Sequence, residues 1–371
     1  MRSNLVLALL CLSTYLASAS ISPSCLNGYN FYQQITFQSA GSVQNDFQFS
    51  ATLDTATLVS SGVLSSSGFN VLFTDATGCT KYCFSFETGT FNTNSTVVWI
   101  RVPGANSNTT TVLWVYGNET LLLPDATQSP SCTFDSYVDF LEGLGPWTTC
   151  NPNVSISSSG NLELSWAPYG GVYSNFTLPL GTIWTVEAYV ANFTGYWPGL
   201  YVFLSDKSAG YGLITGPGYG IVPSYSESGL NSHLDCSLTF NWNINAPDRT
   251  APLGLPSTIF SISWVSNATQ DYRWYHPSGQ LVFASNASAD YSYFLLSQPL
   301  TIYMGGIWDG GGAMSVTWVR ARKYAPAGSI TTTISAAQTV PRTSAAGKLE
   351  SYFTSLLLSL LSRVQFWIGA Q

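Results

Sequence analysis

The chain has 371 residues, of which 8% are charged, with 12 Lys and Arg against 19 Asp and Glu for a formal net charge of −7. So few cations exclude a groove that tracks a phosphate backbone, and no nucleic-acid partner is expected. Surface polarity has to come from Ser, Thr, Asn, Gln and Tyr, side chains whose charge does not change on acidification.

The N-terminus combines Arg2, an apolar run over residues 5–16 and the small residues Ala17-Ser18-Ala19. This is the pattern of a secretory signal peptide, residues 1–19, which places the mature protein outside the cell or at its surface. Cleavage after Ala19 leaves 352 residues, enough for two domains, and 11 Lys and Arg. Cys11 leaves with the signal. The remaining cysteines, Cys25, Cys79, Cys83, Cys132, Cys150 and Cys236, form an even set that implies disulfides in a secreted chain. Proximity in sequence favours Cys79 with Cys83 and Cys132 with Cys150, leaving Cys25 for Cys236. Zinc is disfavoured, because His233 and His276 are the only histidines and no Cys-x-x-Cys occurs. Asn-x-Ser/Thr sequons mark Asn94, Asn108, Asn118, Asn153, Asn175, Asn192, Asn267 and Asn286 as glycosylation candidates.

From residue 20 to about 322 no helical periodicity is found. Short alternating or β-branched runs such as "FQFSATL", "TIWTVEAYV", "IFSISWV" and "MSVTWVRARKY" recur instead, bounded by Gly, Pro, Asn and Ser. The expected fold class is therefore all-β, with two β-sandwich domains. The turn-rich "PDATQSPSC" separates them, giving a first domain over residues 20–124 and a second over 132–324. In "VVWIRVP" alternation puts Trp99 and Arg101 on one face and Val98, Ile100 and Val102 on the other. In "TVLWVYG", Val112, Trp114 and Tyr116 oppose Leu113 and Val115. The Pro-, Gly- and Asn-bearing segment between them reads as a hairpin connection, and Gly117 as a turn that a β-carbon would resist.

Residues 325–348, "APAGSITTTISAAQTVPRTSAAGK", read as a Ser/Thr/Ala/Pro linker without a core-forming pattern. The tail, residues 349–371, is the one segment with helical character. Its uncharged part is only about 18 Å long as a helix, short for a ~30 Å bilayer core. It reads as an apolar C-terminal helix at an interface, with peripheral membrane contact, or as a marginal anchor.

The order "FNVLFTD", "VVWIRVP", "TTVLWVYGN" resembles an uncharacterised β-sandwich domain family of archaeal and bacterial surface proteins. That family shows an Asp-Ile-Arg-Phe-type strand, a Val-Trp-Val-Lys-Val-Pro strand and a closing Tyr-Gly-Asn. The corresponding residues are Asn70-Val71-Leu72-Phe73, the run Val98 to Pro103, and Tyr116-Gly117-Asn118. Asn70 replaces the usual acid, and the family has no established catalytic residues to carry over. The second half resembles a concanavalin-A-like lectin/glucanase domain. Phe134-Asp135, Phe140-Leu141 and Trp147 match its opening, and the run Val316 to Tyr324 its closing strand. The resemblance implies a jelly roll whose first and last strands lie side by side in one sandwich.

Laminarinase-type members of that fold carry Glu-x-Asp-x-x-Glu, which places two carboxylates for retaining hydrolysis. No such motif occurs. Asp135, Asp139 and Glu142 form the nearest cluster, and Glu163, Glu187, Asp206 and Glu227 are isolated. Gly-x-Ser-x-Gly is absent, His276 sits in a "HPSG" turn, and "GPGYG" has no following Lys or helix. An enzyme is therefore not expected. No cofactor is expected either. The closing-strand Asp that often ligates calcium in this fold is Thr317 here, leaving Asp135 and Asp309 as candidates for a structural calcium ion. Tyr196-Trp197, Trp274-Tyr275 and Trp308-Asp309 sit beside turns and are candidate sugar platforms. The sequence reads as a non-catalytic secreted or cell-surface protein that binds glycans or a surface protein through its lectin-like domain. A structural protein of an envelope, filament or capsid surface is the first alternative, and a divergent glycoside hydrolase the second.

Overall fold

The computed structural model describes residues 21–341 except 23, 42–44, 104–107, 119–122, 150–152, 166–170, 180–181, 196–198, 205–209, 217–219, 231–237, 241–256, 267–268, 277–279, 289–298, 306–311 and 327. The segments expected to form a signal peptide and an apolar tail fall outside the described residues. Among these residues no helix is long and apolar enough to cross a membrane.

Six strands begin the first sandwich: β1 (Phe31–Ser39), β2 (Phe47–Leu53), β3 (Val71–Thr74), β4 (Cys83–Phe86), β5 (Thr96–Val102) and β6 (Thr109–Tyr116). Between β2 and β3 lies a short helix, α1 (Thr55–Ser60), started by Asp54, whose Oδ1 accepts the Thr57 amide at 3.0 Å. A single turn, α2 (Pro130–Thr133), leads into the second sandwich. That sandwich runs through β7 (Ser136–Val138), β8 (Trp147–Thr149), β9 (Val154–Ile156), β10 (Leu162–Ser165), β11 (Gly171–Ser174) and β12 (Trp184–Gly195). It continues through β13 (Gly199–Leu204), β14 (Gly210–Gly216), β15 (Gly220–Leu230), β16 (Leu238–Phe240) and β17 (Thr258–Ser266). It closes with β18 (Thr269–Tyr275), β19 (Leu281–Ser288), β20 (Leu300–Gly305) and β21 (Gly312–Lys323). Two last strands, β22 (Ile330–Ile334) and β23 (Gln338–Thr339), return to the first sandwich.

In the first sandwich the sheet β2-β5-β4 faces the sheet β22-β1-β6-β3, with β23 also beside β1. Alternation fills the space between them. Phe47, Phe49, Ala51 and Leu53 of β2 and Val98, Ile100 and Val102 of β5 meet Ile35, Phe37, Val112, Trp114 and Tyr116 from the other sheet. The Phe37 and Phe49 rings stack across the gap with centroids 4.6 Å apart. The opposite faces of β3 and β6 are also covered, because Leu72, Leu113 and Val115 pack with Leu26, Tyr32 and Val340.

The faces of β5 and β6 are as the alternation requires, but the two strands are not a hairpin. β5 lies between β2 and β4, whereas β6 lies between β1 and β3 in the facing sheet. A strand apolar on both faces needs a central place in its sheet, and β1 and β3 provide it. β5 therefore ends in one sheet and β6 begins in the facing one. Gly117 does take the left-handed conformation, φ 88°, and its carbonyl accepts from Asn30 Nδ2 at 2.7 Å.

The expected linker is a second correction. Ile330–Ile334 and Gln338–Thr339 pair antiparallel with β1. Their pattern hid the strand because an edge strand needs backbone partners more than burial, and residues 331–334 are exposed.

The disulfides are a third correction. Cys25 pairs with Cys79 and Cys83 with Cys132, at Cα separations of 5.0 and 5.5 Å. Cys79 sits in a turn held by Asp75 Oδ1, which accepts the Cys79 and Thr80 amides. Cys83 instead opens β4 and meets Cys132 of α2, next to a parallel bridge that joins Phe84 to Gln128 just before that turn. Cys79 thus reaches the N-terminal turn and Cys83 the interdomain segment. Cys150 and Cys236 lie outside the described residues.

In the second sandwich an eight-stranded sheet, ordered β19-β18-β17-β12-β21-β10-β9 with β7 beside β21, packs on a seven-stranded one, ordered β16-β15-β14-β13-β20-β11-β8. The chain passes repeatedly from one sheet to the other, which is jelly-roll connectivity. First and last strands are neighbours as expected, with Val138 opposite Val319. Trp184, Val186, Ala188 and Val190 of β12 point into the core with Phe260, Ile262, Tyr272 and Trp274.

Each disulfide closes a long loop, so its removal relaxes the unfolded chain. Replacing Cys83 and Cys132 together by Ser should lower unfolding free energy by about 2–5 kcal/mol, read as a lower urea midpoint, with m rising as the released unfolded chain exposes more surface.

Candidate functional site

With the apolar residues of β12 and β21 turned inward, Glu187, Trp318, Arg320 and Arg322 face outward on the eight-stranded sheet, where Glu187 lies opposite Arg320. The β2-β5 face of the first sandwich that points away from its own core carries Gln48, Ser50, Thr52, Trp99 and Arg101. The two outward faces meet, and the junction is charged.

Arg320 Nε donates to Glu187 Oε2 at 2.6 Å, and its Nη2 lies 2.8 Å from Glu87 Oε2 of the first sandwich. Trp99 Nε1 donates to that same Glu87 oxygen at 2.9 Å. Arg322 gives Nε and Nη2 to Glu187 Oε1 at 3.1 and 2.7 Å. The Arg320 guanidinium also lies over three rings, 4.9 Å from Trp99, 4.6 Å from Phe134 and 4.3 Å from Trp318. Glu87, Glu187, Arg320 and Arg322 are all buried. Around this centre Asp135 accepts from Arg101 Nη2 and Gln48 Nε2, both at 3.0 Å, while Gln48 Oε1 accepts the Lys323 amide at 3.0 Å.

Burial by itself would raise the Glu187 carboxyl. The Arg322 and Arg320 guanidiniums outweigh it and hold the group down at about 2. Arg320 is likewise kept charged, since Glu87 and Glu187 overcome the burial that would lower it.

Beside the cluster opens a pocket of about 320 Å³. Trp99, Ser50 and Thr52 form one wall, Tyr275, Arg273 and Ile259 a second, and Ile330 and Thr332 of the returning strand a third, with Glu187, Arg320 and Arg322 also in the lining. Arg273 is not a loose cation: it pairs with Asp271 and donates to the Ala325 carbonyl at 3.3 Å.

Of the expected sugar platforms, Trp274 is a correction. It is 1% exposed and belongs to the sandwich core, because alternation along β18 turns Tyr272 and Trp274 inward and Asp271, Arg273 and Tyr275 outward. Tyr275 is half-buried and lines the interdomain pocket. Tyr196, Trp197, Trp308 and Asp309 lie outside the described residues. Asp135, a calcium candidate, has its oxygens engaged by Arg101 and Gln48 as above, and no group of three or more metal-ligating side chains occurs among the described residues. His276 closes its turn, its amide donating to Gln280 O at 2.8 Å. Asn94, Asn108, Asn175 and Asn192 are exposed, and Asn153 is partly so. Asn118 is largely buried, beside Gly28. Asn267 and the side chain of Asn286 lie outside the described residues.

The sequence shows Glu187 as an isolated acid and places Trp99 only on a strand face with Arg101. The available signal was Glu187 at a strand centre flanked by apolar residues, together with Arg-x-Arg in the closing strand. Buried charges of opposite sign on neighbouring strands have to find each other.

No protein-family model and no curated protein matches the chain. Solved structures similar to it include a Bacillus licheniformis β-glucanase, at 16% identity over 51% of this chain and 98% of that one, with a TM-score of 0.34. A laminarinase from Flavobacterium sp. UMI-01 is 13% identical over 51% and 100%, TM-score 0.34. β-Agarase A from Zobellia galactanivorans is 12% identical over 48% and 82%, TM-score 0.34. With scores this low, these likenesses add nothing to the fold read from the strand order, nor to the chemistry of the site.

The depressed Glu187 carboxyl gives a pH signature. Unfolded, the group titrates near 4.5, and folded, at about 2. Its contribution to stability is complete above about 4.5 and is lost as pH falls towards 2. Melting temperature should decline through that window. In Glu187→Gln it should start lower by the equivalent of about 3–5 kcal/mol, with a shallower acid decline.

Proposed function

We propose that the protein is a secreted, non-catalytic saccharide-binding protein whose ligand sits in the pocket between the two sandwiches. The observation that carries this reading is the pocket's lining. Two half-buried aromatic side chains, Trp99 and Tyr275, accompany the exposed hydroxyls of Ser50, Thr52 and Thr332. Sugar recognition uses aromatic faces with a few placed hydrogen-bonding groups. The walls come from three parts of the chain already held together by ion pairs and strand pairing, so little ordering is left to pay on binding.

The same lining speaks against hydrolysis. A glycosidase acid must be protonated near neutral pH beside a second carboxylate. Glu187 has both oxygens taken by arginines and stays ionised to about 2, and Glu87 is tied to Arg320 and Trp99.

Secretion is supported by the two disulfides, which persist in oxidising compartments, and by the exposed sequons Asn94, Asn108, Asn175 and Asn192. Within this reading the first sandwich is a member of the surface-protein domain family that its strand motifs resemble. Asn70, in place of that family's acid, is structural here: Oδ1 accepts the Ser65 amide and Nδ2 donates to the Val63 carbonyl.

The test is a glycan array probed with the full mature protein, followed by calorimetric titration of the best ligand. Tyr275→Ala should weaken binding about tenfold or more, and Thr52→Trp, which fills the pocket mouth from an exposed position, should abolish it. Absence of binding to any saccharide, or unchanged affinity in both variants, would overturn the reading. Release of reducing ends from a bound polysaccharide would overturn its non-catalytic part.

A further inference from the structure

The returning strand β22 pairs with β1 on one side and with no other strand among the described residues on the other. Its register sets which backbone groups face outward. Ser335 donates its amide to Gln34 O at 2.9 Å and Ser329 O accepts the Ala40 amide at 2.8 Å, with Thr333 opposite Thr36 and Thr331 opposite Gln38 between them. Antiparallel pairs alternate between bonded and non-bonded, so Ser329, Thr331, Thr333 and Ser335 turn their amides and carbonyls towards β1. Ile330, Thr332 and Ile334 then turn theirs to the open edge.

The strand's sequence, Ile330-Thr331-Thr332-Thr333-Ile334, reads the same in both directions. An antiparallel two-fold pairing centred on Thr332 places Ile330 opposite the second copy's Ile334, and Thr332 opposite itself. The outward residues are the ones that become bonded pairs in that register, so chain parity and sequence symmetry agree. The side chains match too, because β-branched and Thr–Thr cross-strand pairs are favourable. Ile334, 38% exposed, is one of the few exposed large apolar residues among those described, and in this register it is covered by the second copy's Ile330.

Natural edge strands are guarded against such pairing by charge, proline or a bulge. β22 has none of these. It carries no Lys, Arg, Asp, Glu or Pro, its register with β1 is unbroken, and residues 331–334 are exposed.

We propose that two copies of this chain associate through β22, forming one continuous sheet across a two-fold axis at Thr332. The contact is isologous, so it closes at a dimer. The proposal does not depend on the saccharide reading.

Sedimentation velocity of the full mature protein over a range of concentrations tests it. The wild type should show a concentration-dependent dimer, and Thr332→Pro should weaken dimerisation about tenfold or more. The substitution removes an amide that faces the open edge and leaves the bonds to β1, so the melting temperature should hold. A second variant keeps the test independent of strength: Thr332→Cys chains should cross-link to themselves on mild oxidation, whereas Ser50→Cys chains should not. A monomer at every concentration, or a dimer that Thr332→Pro leaves unchanged and Thr332→Cys does not link, would overturn the proposal.

Discussion

Arg320 is buried between Glu187 of its own sandwich and Glu87 of the other, under the rings of Trp99, Phe134 and Trp318. A guanidinium taken out of water costs several kcal/mol unless partners replace its hydration. Glu187 supplies only part of that replacement. The remainder comes across the junction from Glu87, itself held by the Trp99 indole. Neither sandwich satisfies its own buried charge alone, so the two faces that meet there are the ones each domain cannot leave open. In a chain with only 8% charged residues, this concentration of charge at one interface is a structural commitment.

The path of the chain reinforces the same junction. The Cys83–Cys132 bridge fixes the interdomain segment to β4 of the first sandwich. After β21 the chain does not leave as a free linker. It returns to add β22 and β23 to the first sandwich, so that domain is completed only after the second has been made. The pocket is a consequence of this closure. One wall belongs to each sandwich and one to the returning strand, and none of the three can move without breaking ion pairs or strand pairing. Within that recess Glu87 and Glu187 are paired with Arg320 and Arg322.

The fold class was legible because burial imposes a period of two. The faces of Val98-Trp99-Ile100-Arg101-Val102 and of Val112 to Tyr116 could be assigned from alternation alone, whereas the neighbouring ends of the jelly roll were implied only by the resemblance of Phe134-Asp135 and of the run Val316 to Tyr324 to the ends of that fold. Alternation says which way a residue points but not which strand lies beside it. For that reason β5 and β6 read as a hairpin, although they belong to facing sheets. Sequence distance misled the cysteine pairing for the same reason: Cys79 and Cys83 are near in the chain, but the Asp75 turn and the start of β4 aim them at different partners. The β22 segment escaped notice because an exposed edge strand carries no apolar stripe. Trp274 looked like a surface aromatic beside a turn, yet it stands on the inward side of β18. Glu187 and Arg320 lie more than a hundred residues apart and became a site only through the pairing of β12 with β21.

Arg320 couples the two sandwiches into one unit. Scanning calorimetry of the mature protein and its Arg320→Met variant tests it most directly. The wild type should show one cooperative transition and the variant two separate ones, because the exchange leaves Glu87 without its partner across the junction. Two independent transitions already present in the wild type, or a variant that still melts as one unit at the wild-type temperature, would contradict it.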